Sequence, residues 1–219
     1  MSKKLKIDFV SDVSCPWCAV GLGGLEQALQ RVEGEISADI RFQPFELNPG
    51  MPAEGQDIVE HLTQKYGSTE AQQADTRHMI CERGAEVGFE FNPAGRGRIW
   101  NTFDAHRLLY LAEVEGQADQ QSRLKKEFLA ACHTRSEAMG DHAVLSACAA
   151  SSGLDADRVN AVLASDEFAK EVRERQSFYT SHGISSVPAV IINEKHLISG
   201  GQPTDVFVQA LQKIAEEEA

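Results

Sequence analysis

The chain has 219 residues, enough for one large domain or for a small domain that carries an insertion. Its hydrophobic fraction of 42% and charged fraction of 25% are ordinary for a globular protein. The net charge of −12 argues against a nucleic-acid binder, which needs a basic surface, and against adsorption to an anionic membrane.

Two short basic pairs, Arg96/Arg98 and Lys125/Lys126, are interpreted as solvated surface. The N-terminal lysines lead directly into residues 7–10, where Asp8 interrupts any apolar run of the kind found in an export signal. No stretch approaches the roughly 18 apolar residues of a membrane span. We therefore expect a soluble, cytoplasmic protein.

In chain order, the first predicted elements are a strand over residues 5–11, a helix over 16–31 and a strand over 40–45. Ile7 and Phe9 share one face of the first strand, since side chains alternate at period two. A strand–helix–strand order predicts a parallel pair with a right-handed crossover.

From residue 48 to 182 the pattern is helical and predicts no strand of any length. The predicted helices cover residues 57–66, 69–87, 99–115, 119–133, 141–151, 155–164 and 165–181. Thr69 and Gln72 have the spacing of a capping box, while Asp119, Asp141 and Asp155 are predicted N-caps.

After Gly183 the pattern returns to strands, predicted over residues 187–192 and 196–199. A Gly-Gly pair breaks the second strand, and Pro203 is expected at the first position of a last helix, where its missing N–H does no harm.

Five cysteines occur along the chain: Cys15, Cys18, Cys81, Cys132 and Cys148. An odd number without an export signal does not suggest a secreted disulfide framework. A structural zinc site would need a second paired spacing, which the last three cysteines do not provide. We predict no metal site and interpret these three as inert packing residues.

The Cys15-Pro16-Trp17-Cys18 motif falls between the first strand and the first helix. Residues three apart in a first helical turn lie on one side, within roughly the 4.4–6.8 Å Cα separation of a disulfide. Cys15 is predicted to be the N-cap, where free N–H groups and the helix dipole lower its pKa below about 8.5. Cys18 is expected to be more enclosed, so Cys15 attacks and Cys18 resolves the mixed disulfide.

The order of these motifs resembles the DsbA-like thioredoxin family, and most closely its FrnE-type branch, which is related to 2-hydroxychromene-2-carboxylate isomerases and kappa-class glutathione transferases. The matching stretches span nearly the whole chain: residues 11–18, 45–49, 101–108, 183–188 and 199–203. The resemblance implies an α/β fold with a thioredoxin-like core, residues 1–48 and 178–219, and an all-helical domain inserted over residues 49–177.

The resemblance also implies site residues. It places Pro16, Trp17, Val187 and Pro188 around Cys15 as substrate-binding residues. The Val187–Pro188 bond is expected to be cis, and the Val187 backbone can pair with an extended substrate. The family motif puts His106 on the helix that roofs the substrate groove.

Two further assignments come with alternatives. Asp8 is a candidate acid for proton transfer near Cys18, or an ordinary strand-face aspartate. Residues 200–203 form a plain turn, or hold a carboxylate such as that of glutathione at a helix N-terminus.

The sequence therefore predicts a thiol–disulfide oxidoreductase that exchanges disulfides with protein or small thiol substrates. It needs no tightly bound cofactor, and glutathione is a candidate co-substrate. The main alternative is a glutathione-dependent isomerase or transferase acting on a small aromatic substrate, although those relatives generally carry serine at this site. A third class is a chaperone or binding module that uses the groove without turnover and would not need Cys18. Oxidation, reduction and isomerisation all stay open, because direction depends on the reduction potential. The oligomeric state also stays open.

Overall fold

The computed structural model describes residues 2–217. Its strands are β1 (Lys3–Ser11), β2 (Ile36–Pro44), β3 (Gln56–Asp57), β4 (Arg98–Ile99), β5 (Ala189–Ile192) and β6 (His196–Ser199). Its helices are α1 (Pro16–Arg31), α2 (Ile58–Tyr66), α3 (Glu70–Glu86), α4 (Phe103–Val114), α5 (Gln120–His133), α6 (His142–Ser151), α7 (Ala156–Leu163), α8 (Ala169–Ser181) and α9 (Thr204–Glu217).

The main sheet has the strand order β2-β1-β5-β6. Strands β1 and β2 are parallel and are joined through α1, whereas β5 runs antiparallel to β1 and β6 antiparallel to β5. Ile7 lies at the centre of the sheet, opposite Ile40 on one side and Ile192 on the other. A βαβ unit followed by a β-hairpin and a helix is the thioredoxin-like arrangement. The predicted α/β fold class is confirmed.

Alternation along β1 divides the core between the two faces of the sheet. Ile7 and Phe9 face α1 and α9, in a cluster that also contains Cys15 and Cys18. Val10 faces the other way and packs against α8. The cysteine pair therefore belongs to one particular face of the sheet.

Helices α4 to α7 build a second core. Val13, from the loop between β1 and α1, adds its side chain to this core. Helix α5 contributes to both cores, with Leu124 and Phe128 in the second and Leu129 in the first. The loop before α1 and the helix α5 thus join the thioredoxin-like layer to the helical layer. The domain boundary predicted between residues 177 and 178 falls inside α8, which is continuous.

Several element boundaries differ from the predictions. Helix α4 begins at Phe103 and not at residue 99, because Arg98 and Ile99 pair as a strand with β3 and the Asn101 side chain accepts the Phe103 N–H. Strand β2 begins four residues earlier than predicted, at Ile36 and not at residue 40. Pro203 precedes α9 and is not its first residue.

The helix caps follow the sequence closely. The capping box of Thr69 and Gln72 is present, and the Asp141 and Asp155 side chains each accept a backbone N–H at the start of a helix. Asp119 is the exception, because its backbone is left-handed (φ 62°) and its side chain accepts no capping hydrogen bond. Helix α8 begins at residue 169, four residues later than predicted. No helix described within residues 2–217 is both long and apolar enough to cross a membrane.

Candidate active site

The two motif cysteines lie where β1 gives way to α1. Pro16 is the first residue of α1 and Cys15 is its N-cap, as predicted, with an extended backbone (φ −91°, ψ 114°). Cys18 is fully buried, Cys15 is 4% exposed, and both are free thiols. The Cys18 N–H donates to the Cys15 carbonyl over 3.1 Å, which closes the first turn. The sequence thus places both sulfurs in one turn and encloses the second more completely.

The two thiols have opposite pKa shifts. The pKa of Cys15 is lowered, chiefly because the Cys18 thiol donates a hydrogen bond to it, and the N–H groups of Trp17 and Cys18 add to the effect. Burial and the Asp12 charge act against this shift. Burial raises the pKa of Cys18 well above its ordinary value, and its bond to Cys15 raises it further. The predicted direction for Cys15 holds, but the neighbouring thiol is its largest cause.

This difference in cause gives a test with two variants. In Cys18→Ser a hydroxyl still donates to Cys15, whereas in Cys18→Ala no donor remains. We expect the Cys15 pKa to be higher in Cys18→Ala than in Cys18→Ser, because the alanine variant loses the largest stabilisation of the thiolate. Iodoacetamide alkylation followed against pH measures both. Equal pKa values would show that the helix N-terminus alone sets the acidity.

The segment before β5 forms one side of Cys15. The Val187–Pro188 bond is cis, as predicted. The Cys15 thiol donates a hydrogen bond to the Val187 carbonyl oxygen over 3.5 Å. Pro188 is buried against Gly21, where a Cβ atom would stand 2.9 Å from the proline Cγ. Half-buried Trp17 packs beside Gly201. The structure therefore brings the predicted residues of this region together around Cys15.

Asp12 is a site residue that the sequence analysis did not single out. Its carboxylate is buried and accepts the Ser14 N–H over 3.0 Å and the Leu47 N–H over 2.8 Å. Burial alone would raise its pKa, but His106 and these two N–H donors lower it to about 2. Asp12 is thus an ionised group that fixes the loop before Cys15. An aspartate two residues before Ser14 is the pattern of an Asx turn, which could have identified it.

His106 lies inside the protein, where it lines a cavity of only about 10 Å³ and not a groove of a size that could hold a substrate. The side chain is buried, and its Nε2 lies 3.6 Å from Asp12 Oδ1, a close approach that is too long for a hydrogen bond. The predicted substrate-side position is therefore corrected to an internal one behind the cysteine loop.

Asp8 is not brought to the cysteine pair. Because it alternates with Ile7 and Phe9, it lies on the face of β1 opposite Cys18, where the Gln43 side chain donates to it over 2.7 Å. Burial raises the Asp8 pKa, but none of the charges that affect Cys18 belongs to it. The placement near Cys18 is corrected on this basis.

The interpretation of the basic pairs as solvated surface is wrong for two of the four residues. Arg96 donates to the Ser14 carbonyl over 2.7 Å and contacts the Cys132 sulfur at 2.9 Å. Lys125 is fully buried. Arg98 and Lys126 are exposed, as predicted. Lys125 and Lys126 are adjacent on helix α5 and therefore point in different directions, so this pair divides between interior and surface.

His133 is a further contact between the helical layer and the cysteine loop. Its Nε2 lies 3.0 Å from the Val13 carbonyl oxygen. Burial lowers the pKa of His133 well below its ordinary value, so the neutral ring donates this bond. The neighbouring Cys132 is buried with a raised pKa, which agrees with the prediction of an unreactive thiol. Residues 200–203 form a turn in which Gly200 has a positive φ of 82°.

Comparison with known proteins identifies the family. A sequence profile of the DSBA-like thioredoxin domain matches residues 6–212. A solved structure described as a probable DsbA oxidoreductase from Streptomyces coelicolor is 32% identical, with 98% of this chain and 91% of that chain covered and a TM-score of 0.87. This chain belongs to the DsbA-like thioredoxin family.

Two more distant structures share the fold. One is a 2-hydroxychromene-2-carboxylate isomerase, 13% identical over 97% of both chains with a TM-score of 0.71. The other is the cytosolic disulfide reductase DsbM from Pseudomonas aeruginosa, solved with GSH; it is 14% identical, covering 96% of this chain and 99% of that chain, with a TM-score of 0.65. These are the kinds of neighbour that the sequence resemblance implied.

Proposed function

We propose that this protein is a thiol–disulfide oxidoreductase that works through Cys15 and Cys18. The observation that carries the proposal is the asymmetry of the pair, a thiol with a lowered pKa at the start of α1 hydrogen-bonded by a fully buried thiol. Thiolate is the nucleophile in disulfide exchange, so Cys15 is the group that attacks.

The exchange proceeds in two displacements. The Cys15 thiolate attacks a substrate disulfide, a new bond forms to one sulfur, and the other leaves with the electron pair as a thiolate. Cys18 then attacks the Cys15 sulfur, which forms the internal disulfide and releases the second substrate thiolate. The protein loses two electrons and the substrate gains them. The same steps run in reverse when the oxidised protein meets a substrate dithiol.

The Val187 carbonyl gives the substrate a place to bind. In the thiol form of Cys15 this carbonyl accepts a hydrogen bond from the sulfur. When Cys15 loses its proton it no longer donates, and the carbonyl is free to accept an N–H from an extended substrate. Formation of the nucleophile and exposure of a binding group therefore accompany each other.

Turnover with defined variants tests the proposal. We expect Cys15→Ser to reduce insulin disulfides no faster than dithiothreitol alone, because it lacks the attacking thiol. Cys18→Ser is expected to lose turnover while accumulating mixed disulfides on Cys15, which non-reducing electrophoresis and mass spectrometry measure. Cys81→Ser on α3 is the matched control and is expected to behave as wild type.

Other outcomes would contradict the proposal. Turnover retained in both motif variants would exclude a dithiol mechanism. A glutathione-dependent isomerase would need only one group at this site, so it would tolerate Cys18→Ser in an isomerisation assay. Equal trapping by Cys15→Ser and Cys18→Ser would overturn the assigned order of the two thiols.

We further propose glutathione as a co-substrate and the cytoplasm as the location. A protein of the same fold, DsbM, is described as a cytosolic disulfide reductase and was solved with GSH. A redox titration against glutathione tests the co-substrate and fixes the direction of exchange. Failure of glutathione to equilibrate with the Cys15–Cys18 disulfide would exclude it.

A further inference from the structure

Lys125 is a basic residue in an unusual position. It is fully buried, with 0% of its surface exposed to solvent. Its Nζ has no hydrogen-bond partner among the described residues. An ammonium group buried without a partner is strongly disfavoured, so such a position needs a reason. Lys126, the next residue, lies at the surface and pairs with Glu26 over 3.1 Å. The burial therefore belongs to Lys125 specifically and not to this stretch of α5.

The direction of Lys125 follows from its helix. Residues four apart share a helix face, so Lys125 lies on the same face of α5 as Gln121 and Leu129. The Gln121 side chain bonds both the N–H and the carbonyl of Phe42 on β2, and Leu129 packs in the core that contains Cys18. Helix α5 also packs directly against α1. The Lys125 amine therefore extends into the region behind the cysteine pair.

The charged and titratable groups around Lys125 come from three segments. They are Cys15 and Cys18 on α1, Asp12 in the loop before it, and Cys132 and His133 on α5 itself; Arg96 and His106 adjoin this set through Cys132 and Asp12. Among the interactions that raise the Lys125 pKa, that with Cys18 is the largest, although burial outweighs them all and lowers it. In return Lys125 lowers the pKa of Cys18.

The Asp12 carboxylate does not neutralise Lys125 by direct bonding. Its two oxygens are taken by the Ser14 and Leu47 N–H groups. The Cys18 thiol donates to Cys15 in the reduced protein, and in a mixed disulfide Cys15 is no longer a thiolate that can take its proton. The unbonded amine of Lys125 then remains as a buried base.

We propose that Lys125 is the general base of the resolving step, its amine taking the proton of Cys18 as that thiol attacks the mixed disulfide. The inference rests on the proposed function. The proton moves from Cys18 Sγ to Lys125 Nζ, the Cys18 thiolate forms a bond to Cys15, and the substrate sulfur leaves with the electron pair. Thiolate and ammonium arise together, so each compensates the charge of the other in an environment that water does not reach. The substrate thiolate takes its proton from solvent after release, and Lys125 returns to the neutral amine by giving up the proton that it took from Cys18.

Stopped-flow reaction of the reduced protein with glutathione disulfide separates the two displacements. The first step depends on the concentration of glutathione disulfide, and the resolving step does not. We expect Lys125→Met to slow the resolving step roughly 100-fold at about pH 7, the scale of general acid–base catalysis, and to leave the first step nearly unchanged. The deficit should shrink as the pH rises, since hydroxide then removes the Cys18 proton. Lys126→Met is the matched control and should follow wild type in both steps.

Folded Lys125→Met protein with wild-type resolution at every pH would overturn the inference and leave the proposed function intact. Failure of Cys15→Ser and Cys18→Ser to abolish exchange would instead overturn the proposed function. A measurement on the wild type covers the case in which Lys125→Met does not fold. Oxidation removes both thiols, so the Lys125 pKa, followed by the 13Cε chemical shift, should be lower in the oxidised than in the reduced protein. An unchanged Lys125 pKa between the two redox states would exclude the interaction.

Discussion

Asp12→Asn is expected to lower the free energy of unfolding by about 2–4 kcal/mol. The buried carboxylate accepts N–H groups from Ser14 and Leu47 with its two oxygens. Asparagine offers one oxygen and one NH2 group, so at least one buried N–H loses its acceptor and faces another donor. His106 also loses the charge beside it. Urea denaturation at neutral pH measures the loss.

The same variant is expected to make Cys15 more acidic. The Asp12 charge raises the pKa of Cys15, so its removal should lower that pKa further. Simple loss of structure would do the opposite, because an unfolded cysteine titrates at about 8.5. A lower free energy of unfolding together with a lower Cys15 pKa is therefore a combination that a general loss of structure does not produce. A Cys15 pKa that rises in Asp12→Asn would contradict the assignment.

The pH dependence of this loss follows from the sign of the shift. The native pKa of Asp12, about 2, is below its ordinary value of 3.8. The stabilisation is therefore fully present above pH 3.8 and is lost as the pH falls through 2. We expect roughly 2 kcal/mol of the difference between wild type and Asp12→Asn to vanish over that interval.

Gly21→Val is expected to slow disulfide exchange roughly 10- to 100-fold, a scale typical of a misplaced reacting group. A Cβ atom at this position would stand 2.9 Å from Pro188 Cγ and 3.3 Å from Gly201 Cα, so the segment that carries Val187 has to move. That movement takes the Val187 carbonyl away from the Cys15 sulfur. Overpacking should also lower the free energy of unfolding by about 2–3 kcal/mol.

Gly23→Val provides the comparison on the same helix. Its Cβ would stand 2.9 Å from Cγ2 of Val87, the C-cap of α3. This clash is as close as the one at Gly21, but it does not involve the Pro188 segment. The two variants should therefore lose similar stability, measured by urea unfolding, while only Gly21→Val slows exchange with glutathione disulfide. Equal exchange rates in both would show that the position of Val187 has no role in the reaction.

The features predicted most accurately from the sequence are local ones. Cys15 and Cys18 lie within one helical turn, so their spacing alone predicts their contact and the greater burial of Cys18. Helix caps such as Thr69 with Gln72 depend on residues three apart, so they can be predicted from the sequence equally well. The cis bond before Pro188 was a different case, since it followed from the family resemblance and not from spacing.

The groups behind the cysteines were missed because they come from distant parts of the chain. Lys125 and Arg96 reach the motif only after the helical layer has packed on the sheet. A signal was nevertheless present for Lys125, which aligns on one face of α5 with Leu129 and Cys132, both apolar and buried. The charge of Lys125, taken alone, favours a solvated position. The helix start predicted at residue 99 failed for a related reason, because pairing with β3 outweighed local helical pattern.

The loop between β1 and α1 is bound at three points to the inserted part of the chain, twice to the helical layer and once to Arg96 before β4. The Val13 side chain packs among α4 to α7, the Val13 carbonyl meets His133, and the Ser14 carbonyl meets Arg96. Unfolding of the helical layer would therefore withdraw the support of the nucleophile as well. The two layers should unfold together as one cooperative unit. A partly denatured intermediate that keeps an active dithiol should therefore not be populated at equilibrium.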